Sequence, residues 1–136
     1  MKIVLDTNVL ISGLLSPSGP PGQIVQLLLA GNISVLHDAR ITLAYRSVLS
    51  CARFGFDQAA IGDLLDLVES EGEDIAAGPL QVRLPDDDDA KFLEVALAGG
   101  ADHLVTGDLR HFPVRQRHGI SVLSPAAFLD VIAMQS

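Results

Sequence analysis

The strongest constraint on this chain lies at its start, where Lys2-Ile3-Val4-Leu5 runs directly into Asp6-Thr7-Asn8. A short unbroken apolar run is what a strand covered on both faces carries, as in a parallel sheet. Asp, Thr and Asn are turn and helix-cap residues, so the strand should stop there and a helix should begin at about Val9. Asp6 is thereby delivered to a strand's carboxyl end, where ligands bind in open parallel sheets. A plainer reading makes Asp6 a helix N-cap and nothing more, since Asp is among the favoured caps.

A chain of 136 residues suits one domain with a sizeable core. At 49% hydrophobic and 19% charged residues it is a globule, not a disordered chain. Only three apolar residues stand between Lys2 and Asp6, too few for a signal-peptide core, and no run approaches the roughly 20 residues of a membrane span. The expectation is a cytoplasmic protein without a membrane partner. Cys51 is the only cysteine, which excludes an internal disulfide and reads as a small buried hydrophobe. The net charge of −8 argues against a protein that coats nucleic acid electrostatically. Much of that charge is concentrated in Asp86-Asp87-Asp88-Asp89, a block that is either solvated or gathered to hold a cation.

Along the chain, a Ser-Pro-Gly cluster at 16–22 separates the first helix from a second at about Pro21 to Ala30, with Gly31-Asn32 beyond its end. Ile33 to Leu36 reads as a strand, and Asp38 as the cap of a helix reaching about Arg53, with Ile41, Tyr45, Val48, Leu49 and Ala52 on its apolar face. Ile61, Leu64, Leu65 and Val68 stripe a further helix, expected to form an antiparallel hairpin with the previous one. Leu80, Val82 and Leu84 alternate as in a short edge strand that Pro85 ends. The aspartate block then opens a helix with Phe92, Leu93, Ala96 and Leu97 inward and Gly99-Gly100 at its end. His103-Leu104-Val105-Thr106-Gly107-Asp108 repeats the opening pattern of strand, hydroxyl and aspartate. Residues 109–119 read as irregular or a short helix, Ile120 to Leu123 as a strand, and Ser124-Pro125 as the start of a last helix. His37 and His103 are expected to be structural. Alternating strands and helices imply a parallel, right-handed α/β sandwich.

This layout sends Asp6 and Asp108 from two strand ends, and the 86–89 block from a helix start, towards one crevice. Carboxylates so gathered repel one another and raise their own pKa values unless a cation compensates. Few oxygen ligands and several waters suit Mg²⁺ or Mn²⁺. Such an ion polarises a phosphoryl oxygen and activates water, which points to phosphodiester hydrolysis. No phosphate-binding Gly-Lys loop, nucleophile elbow or Cys/His zinc spacing competes with this reading.

The stretches Ile3-Val-Leu-Asp6-Thr-Asn8-Val-Leu10, Asp88-Asp89-Ala-Lys-Phe-Leu-Glu-Val-Ala96 and Leu104-Val-Thr106-Gly-Asp108, in that order and spacing, resemble the PIN-domain ribonucleases, in particular VapC-like toxins of bacterial toxin–antitoxin pairs. The resemblance runs over nearly the whole chain. It implies a PIN-like domain over 1–136, built as a three-layer α/β/α sandwich with a central parallel sheet. It also implies Mg²⁺- or Mn²⁺-dependent cleavage of an RNA substrate, a homodimer, and a cognate antitoxin protein as inhibitor. Asp6, Asp89 and Asp108 match the acidic metal ligands and catalytic positions, and Asn8 and Thr106 match supporting positions. Asp88 is the neighbour expected to assist the metal, while Asp86 and Asp87 are expected to be solvated charge.

One departure stands out. The family usually carries a glutamate immediately before the tyrosine of the third helix, and this chain has Ala44 before Tyr45. Loss of activity in a natural chain, a deliberate silencing change, and a site that works with three carboxylates all remain open, with activity expected to be low. RNA would be held by Arg110, Arg115 and Arg117, on the segment that follows Asp108; the same residues also fit a solvated loop. The main alternative is an inactive module of this fold that binds an antitoxin or RNA. A phosphatase or phospho-receiver is disfavoured, because no second aspartate stands two residues after Asp6.

Overall fold

The computed structural model describes residues 1–135 and consists of five strands and six α-helices. The strands are β1 (Lys2–Leu5), β2 (Ser34–His37), β3 (Glu73–Asp74), β4 (His103–Val105) and β5 (Val122–Leu123). All neighbours pair in parallel, in the order β3-β2-β1-β4-β5. Ile3, Val4 and Leu5 have no exposed surface, as expected for a central strand with helices on both faces. The chain builds outward from β1 through β2 to β3, then returns to lay β4 on the other side of β1. The reversal of strand order therefore falls between β1 and β4, where a crevice opens at the strands' carboxyl ends.

The helices are α1 (Thr7–Leu15), α2 (Pro20–Leu29), α3 (Ala39–Leu49), α4 (Gln58–Glu71), α5 (Ala90–Gly99) and α6 (Pro125–Met134). Prolines at the first turns of α2 and α6 have a fixed φ suited to helix starts, and Ser124 caps α6 by accepting from the Ala127 N–H. Asp38 caps α3 through the Ile41 N–H. Gly100, at φ 64°, closes α5 in the left-handed conformation that lets the chain turn into β4. α5 lies against β1, β2 and β4, so Phe92, Leu93, Val95 and Ala96 join the sheet in one buried cluster.

Several expectations need correction. Residues 80–84 form no strand: the Leu80 N–H is taken by Glu94 Oε2 at 2.8 Å and the Arg83 N–H by Gln116 Oε1 at 3.1 Å, so side chains satisfy backbone that would otherwise seek a ladder. The edge strand is instead Glu73–Asp74, paired with Leu36 and His37. α3 ends at Leu49, and a separate 3-10 turn at Ala52–Phe54 replaces its expected last turn. Cys51 is exposed, not buried, because it falls at that break. Leu97 is 41% exposed on the outer side of α5. α3 and α4 do lie against each other, joined at the surface by Arg46 and Glu69 at 3.1 Å. His103 is structural, with Nδ1 2.9 Å from Ser121 Oγ and its ring edge-on to Phe128.

Tyr45 ties α3 to the end of β1. Its ring is fully buried and its hydroxyl donates to the Leu5 carbonyl at 2.6 Å, one residue before Asp6. Tyr45→Phe leaves that carbonyl without its donor, and a thermal melt is expected to report a loss of about 1–2 kcal/mol; an unchanged melting temperature would contradict the role assigned to the hydroxyl.

Candidate functional site

β1 and β4 end side by side, and the Asp6 N–H continues their ladder by donating to the Val105 carbonyl at 2.9 Å. Thr106, wholly buried, stands next to Asp6 and donates its hydroxyl to Asp6 Oδ2 at 2.8 Å. The Thr106 hydroxyl oxygen in turn accepts the Asp108 N–H at 3.1 Å, so one threonine holds the approach to both acids. Asn8 Oδ1 accepts the Gly107 N–H at 3.3 Å and fixes the turn between them.

Asp6 and Asp89 share an unusual feature. Each occupies the N-cap position of a helix, α1 and α5, yet neither side chain makes a cap hydrogen bond. Asp86 does the capping ahead of α5, its Oδ1 accepting from the Asp88 N–H at 3.0 Å. Asp6 makes no well-formed cap bond, although the backbone N–H groups of Thr7 and Asn8 lie close enough to favour its charged form. Both carboxylates face the crevice at the positive ends of their helices, which favours anionic groups.

His111 joins the third acid to the second. On the 3-10 turn Leu109–His111, its Nδ1 lies 3.2 Å from Asp89 Oδ2 and its Nε2 lies 3.2 Å from Asp108 Oδ2. Asp89 Oδ2 nevertheless receives no hydrogen bond and is buried. Asp108 is better supplied, with Oδ1 accepting from the Arg110 N–H at 3.1 Å and Arg110 Nε at 3.3 Å. Asp6, Asp89 and Asp108 are thus brought together through Thr106 and His111. Among the described residues no group of three His, Cys, Asp or Glu side chains is gathered tightly enough to hold a metal ion. The donor chemistry still suits a hard cation: three carboxylates, one of them with a buried oxygen that has no hydrogen bond.

The electrostatics follow from burial. Desolvation pushes the Asp6 carboxyl above the usual range, against the hydrogen bond from Thr106. Asp89 is pushed up to about 6, first by desolvation and then by the charge of Asp6. Asp108 moves the other way, held low chiefly by the Arg110 hydrogen bond. Burial also raises the Tyr45 hydroxyl, with the Asp6 charge adding to it.

Other expected residues lie apart. Asp88 is exposed and, with Asp87, lines a cleft of about 460 Å³ on the α3 side that also includes Arg40, Lys91 and Glu94. Asp86 and Asp87 are exposed, as solvated charge should be. Arg110 is committed to Asp108, and Arg117 Nε donates to the Phe112 carbonyl at 2.7 Å; Arg115 is exposed. Arg40 is pinned between Asp38, at 2.7 Å, and the buried Glu94, at 2.6 Å. Arg46 faces Glu69, and Arg53 lies over the Phe54 ring. His111 was visible in the sequence only as local positive charge; its signal is the three-residue spacing from Asp108, which a tight turn converts into contact.

Residues 2–110 match the sequence profile of a family described as PIN domain. No curated protein matches the sequence. Among solved structures, a chain in the crystal structure of VapBC2 from Rickettsia felis, bound to a DNA fragment from its promoter, has a TM-score of 0.58 and 16% identity. The alignment covers 91% of this chain and 98% of that one, a likeness of fold.

The raised Asp89 carboxyl has a consequence for stability. A raised carboxyl binds its proton more tightly in the folded state, so its contribution is most favourable below the unfolded value and is lost as pH rises through about 6. Asp89→Asn is therefore expected to stabilise the metal-free protein at pH 7.5 by about 1–2 kcal/mol, with the gain vanishing below pH ~4. Paired melts at the two pH values check this, and a gain that is the same at both would contradict it.

Proposed function

This chain belongs to the PIN-domain family, and on that premise we propose that it is built as a metal-dependent endoribonuclease, the toxin component of a toxin–antitoxin pair, impaired at position 44. The observation that supports this reading is the gathering of Asp6, Asp89 and Asp108 at the strand-order reversal, with a buried oxygen of Asp89 that has no hydrogen bond and lies 3.2 Å from His111 Nδ1. A buried carboxylate oxygen short of a hydrogen bond favours a ligand. Asp6, Asp89 and Asp108 would hold Mg²⁺ or Mn²⁺, with Asp88 at the margin. When bound, the ion supplies a water of lowered pKa and a polarised phosphoryl oxygen for phosphodiester hydrolysis.

The chain's own residues prepare that step. Thr106 orients the Asp6 carboxylate, and Asn8 keeps the turn that presents Asp108. Arg110 neutralises Asp108 at the rim, where a phosphate would approach. Ala44 precedes Tyr45, whose hydroxyl reaches the residue before Asp6, so an acid at 44 would start from the helix that is tied to the end of β1. An apolar groove of about 430 Å³, lined by Leu14, Val25, Leu29, Ile61, Leu64 and Leu67, supports docking of an antitoxin helix by its apolar face. The reading includes a homodimer in the cytoplasm. Among the described residues no helix is long and apolar enough to cross a membrane.

Ala44 also favours a second reading, an inactive module that binds RNA or an antitoxin. Cleavage of single-stranded RNA with Mn²⁺, against an EDTA control, separates the two. Ala44→Glu is expected to raise the rate roughly 10–100-fold over the chain as it stands, and Ala44→Glu with Asp6→Asn to abolish it. Silence of all three proteins would favour the binding module.

His111 bears on the affinity for a cation, since its imidazole occupies contacts to Asp89 and Asp108 that an ion would take. His111→Ala is expected to tighten Mn²⁺ binding by leaving more uncompensated carboxylate charge, read from the free-ion signal in electron paramagnetic resonance; weaker binding would make His111 a ligand and not a competitor.

A further inference from the structure

The cations of this acidic chain are sorted. Lys2, Arg40, Arg46 and Arg110 are each paired with a carboxylate. Lys91 donates to the Asp88 carbonyl, and Arg53 rests on an aromatic ring. Among the described residues Arg83, Arg115 and Arg117 have no ion pair, and they lie on two segments joined to each other. The Arg83 N–H donates to Gln116 Oε1 at 3.1 Å, and six residues on, Asp89 meets His111 at 3.2 Å. Segment 83–89 therefore runs alongside segment 111–116, with the acids at one end and the unpaired arginines at the other.

A polar cleft of about 530 Å³, lined by Gln81, Val82, Arg83 and Gln116, opens at the arginine end. Gln116 uses its carbonyl oxygen on Arg83 and keeps its amide N–H groups free to donate. Of the neighbouring acids, Asp87 and Asp88 line the cleft on the α3 side, and Asp86, three residues from Arg83, accepts the Asp88 N–H.

We propose that this cleft is a second anchoring point for single-stranded RNA, at the opposite end of the paired segments from the acids. Arg83, with Arg115 and Arg117, holds phosphates, while Gln81 and Gln116 meet the 2′-hydroxyls and base edges that their amides can bond. Two separated anchors draw a flexible strand across the mouth of the crevice, which positions one phosphodiester over Asp6, Asp89 and Asp108. The inference rests on the nuclease reading above and deepens it, by assigning the substrate's second contact.

Binding is measured by fluorescence anisotropy of a short fluorescein-labelled single-stranded RNA in EDTA, over a salt series. Arg83→Glu is expected to weaken binding about tenfold and to lower the slope of log K against log salt by about 0.7. Arg83→Lys, which keeps the charge, is expected to restore most of both, and Arg53→Glu, remote from the cleft, to change neither. Equal effects of the Arg83 and Arg53 reversals would overturn the proposal. In the Ala44→Glu background with Mn²⁺, Arg83→Glu should raise KM and leave kcat in place. An unchanged KM there overturns the cleft and leaves the nuclease reading standing. Arg83-dependent binding without cleavage in any variant supports the cleft and removes the nuclease, and absence of both binding and cleavage removes both.

Discussion

The pairing of β1 with β4 is the constraint on which the acidic crevice depends. Its register sets Leu5 opposite Val105, so that Asp6 and Thr106, the next residue on each strand, meet across the end of the ladder. Side chains alternate faces along a strand, and a slip of one residue would turn the Thr106 hydroxyl away from Asp6 and bring Gly107 in its place. The far end is locked as well. The Lys2 N–H donates to the Asp102 carboxylate at 2.9 Å and the Asp102 N–H to the Lys2 carbonyl at 2.7 Å. A strand pair of this length is short, so these terminal bonds, together with full burial of Val4 and Leu104, fix the register that the chemistry needs.

Glu94 and Asp89 lie on the same short stretch of chain, and their treatment by the fold differs. Both are buried, and Glu94 has both oxygens satisfied, one by Arg40 and one by the Leu80 N–H. Its role is to hold the 80–84 segment and α3 against α5. Asp89 has one oxygen without a hydrogen bond, met only off-geometry by His111, and a carboxyl pushed up to about 6 by burial and by Asp6. A fold that satisfies one buried acid fully and its neighbour poorly fits the proposal that the neighbour serves a ligand. Burial without donors destabilises the free protein, and strain of that kind is what functional sites carry.

Much of this could be read from residues alone, for identifiable reasons. Ile3, Val4 and Leu5 ended by Asp6 placed the first acid correctly, because a run of three apolar residues closed by cap chemistry admits few other structures. Thr106-Gly107-Asp108 repeated the same pattern and placed the second. What escaped was decided by contacts between distant parts of the chain. Leu80, Val82 and Leu84 alternate as a strand does, but Glu94 and Gln116, remote in sequence, take the amides that a partner strand would have needed. The α3 break at Ser50 exposes Cys51, although Ala52 continued the helical spacing. Asp89 could be distinguished from Asp86, Asp87 and Asp88 only by resemblance, since four identical residues carry no internal signal of which one is buried. Beyond its three-residue spacing from Asp108, His111 gave no hint of its contact with Asp89, which arises from a 3-10 turn meeting the start of α5.

Ala44 and His111 act on the crevice in the same electrostatic direction. A glutamate at 44, where the resemblance puts one, would add a carboxylate beside Asp89, which burial first and the charge of Asp6 second already push up. Its absence lessens that repulsion, and an imidazole touching both Asp89 and Asp108 lessens it further. Each change makes the acids easier to keep together without a cation, and each makes a cation easier to do without. Affinity for a divalent ion rises with the anionic charge that the ion relieves. The two features therefore oppose catalysis through a single quantity, the uncompensated negative charge at the ends of β1 and β4, while the threonine, asparagine and backbone bonds that shape the site remain intact.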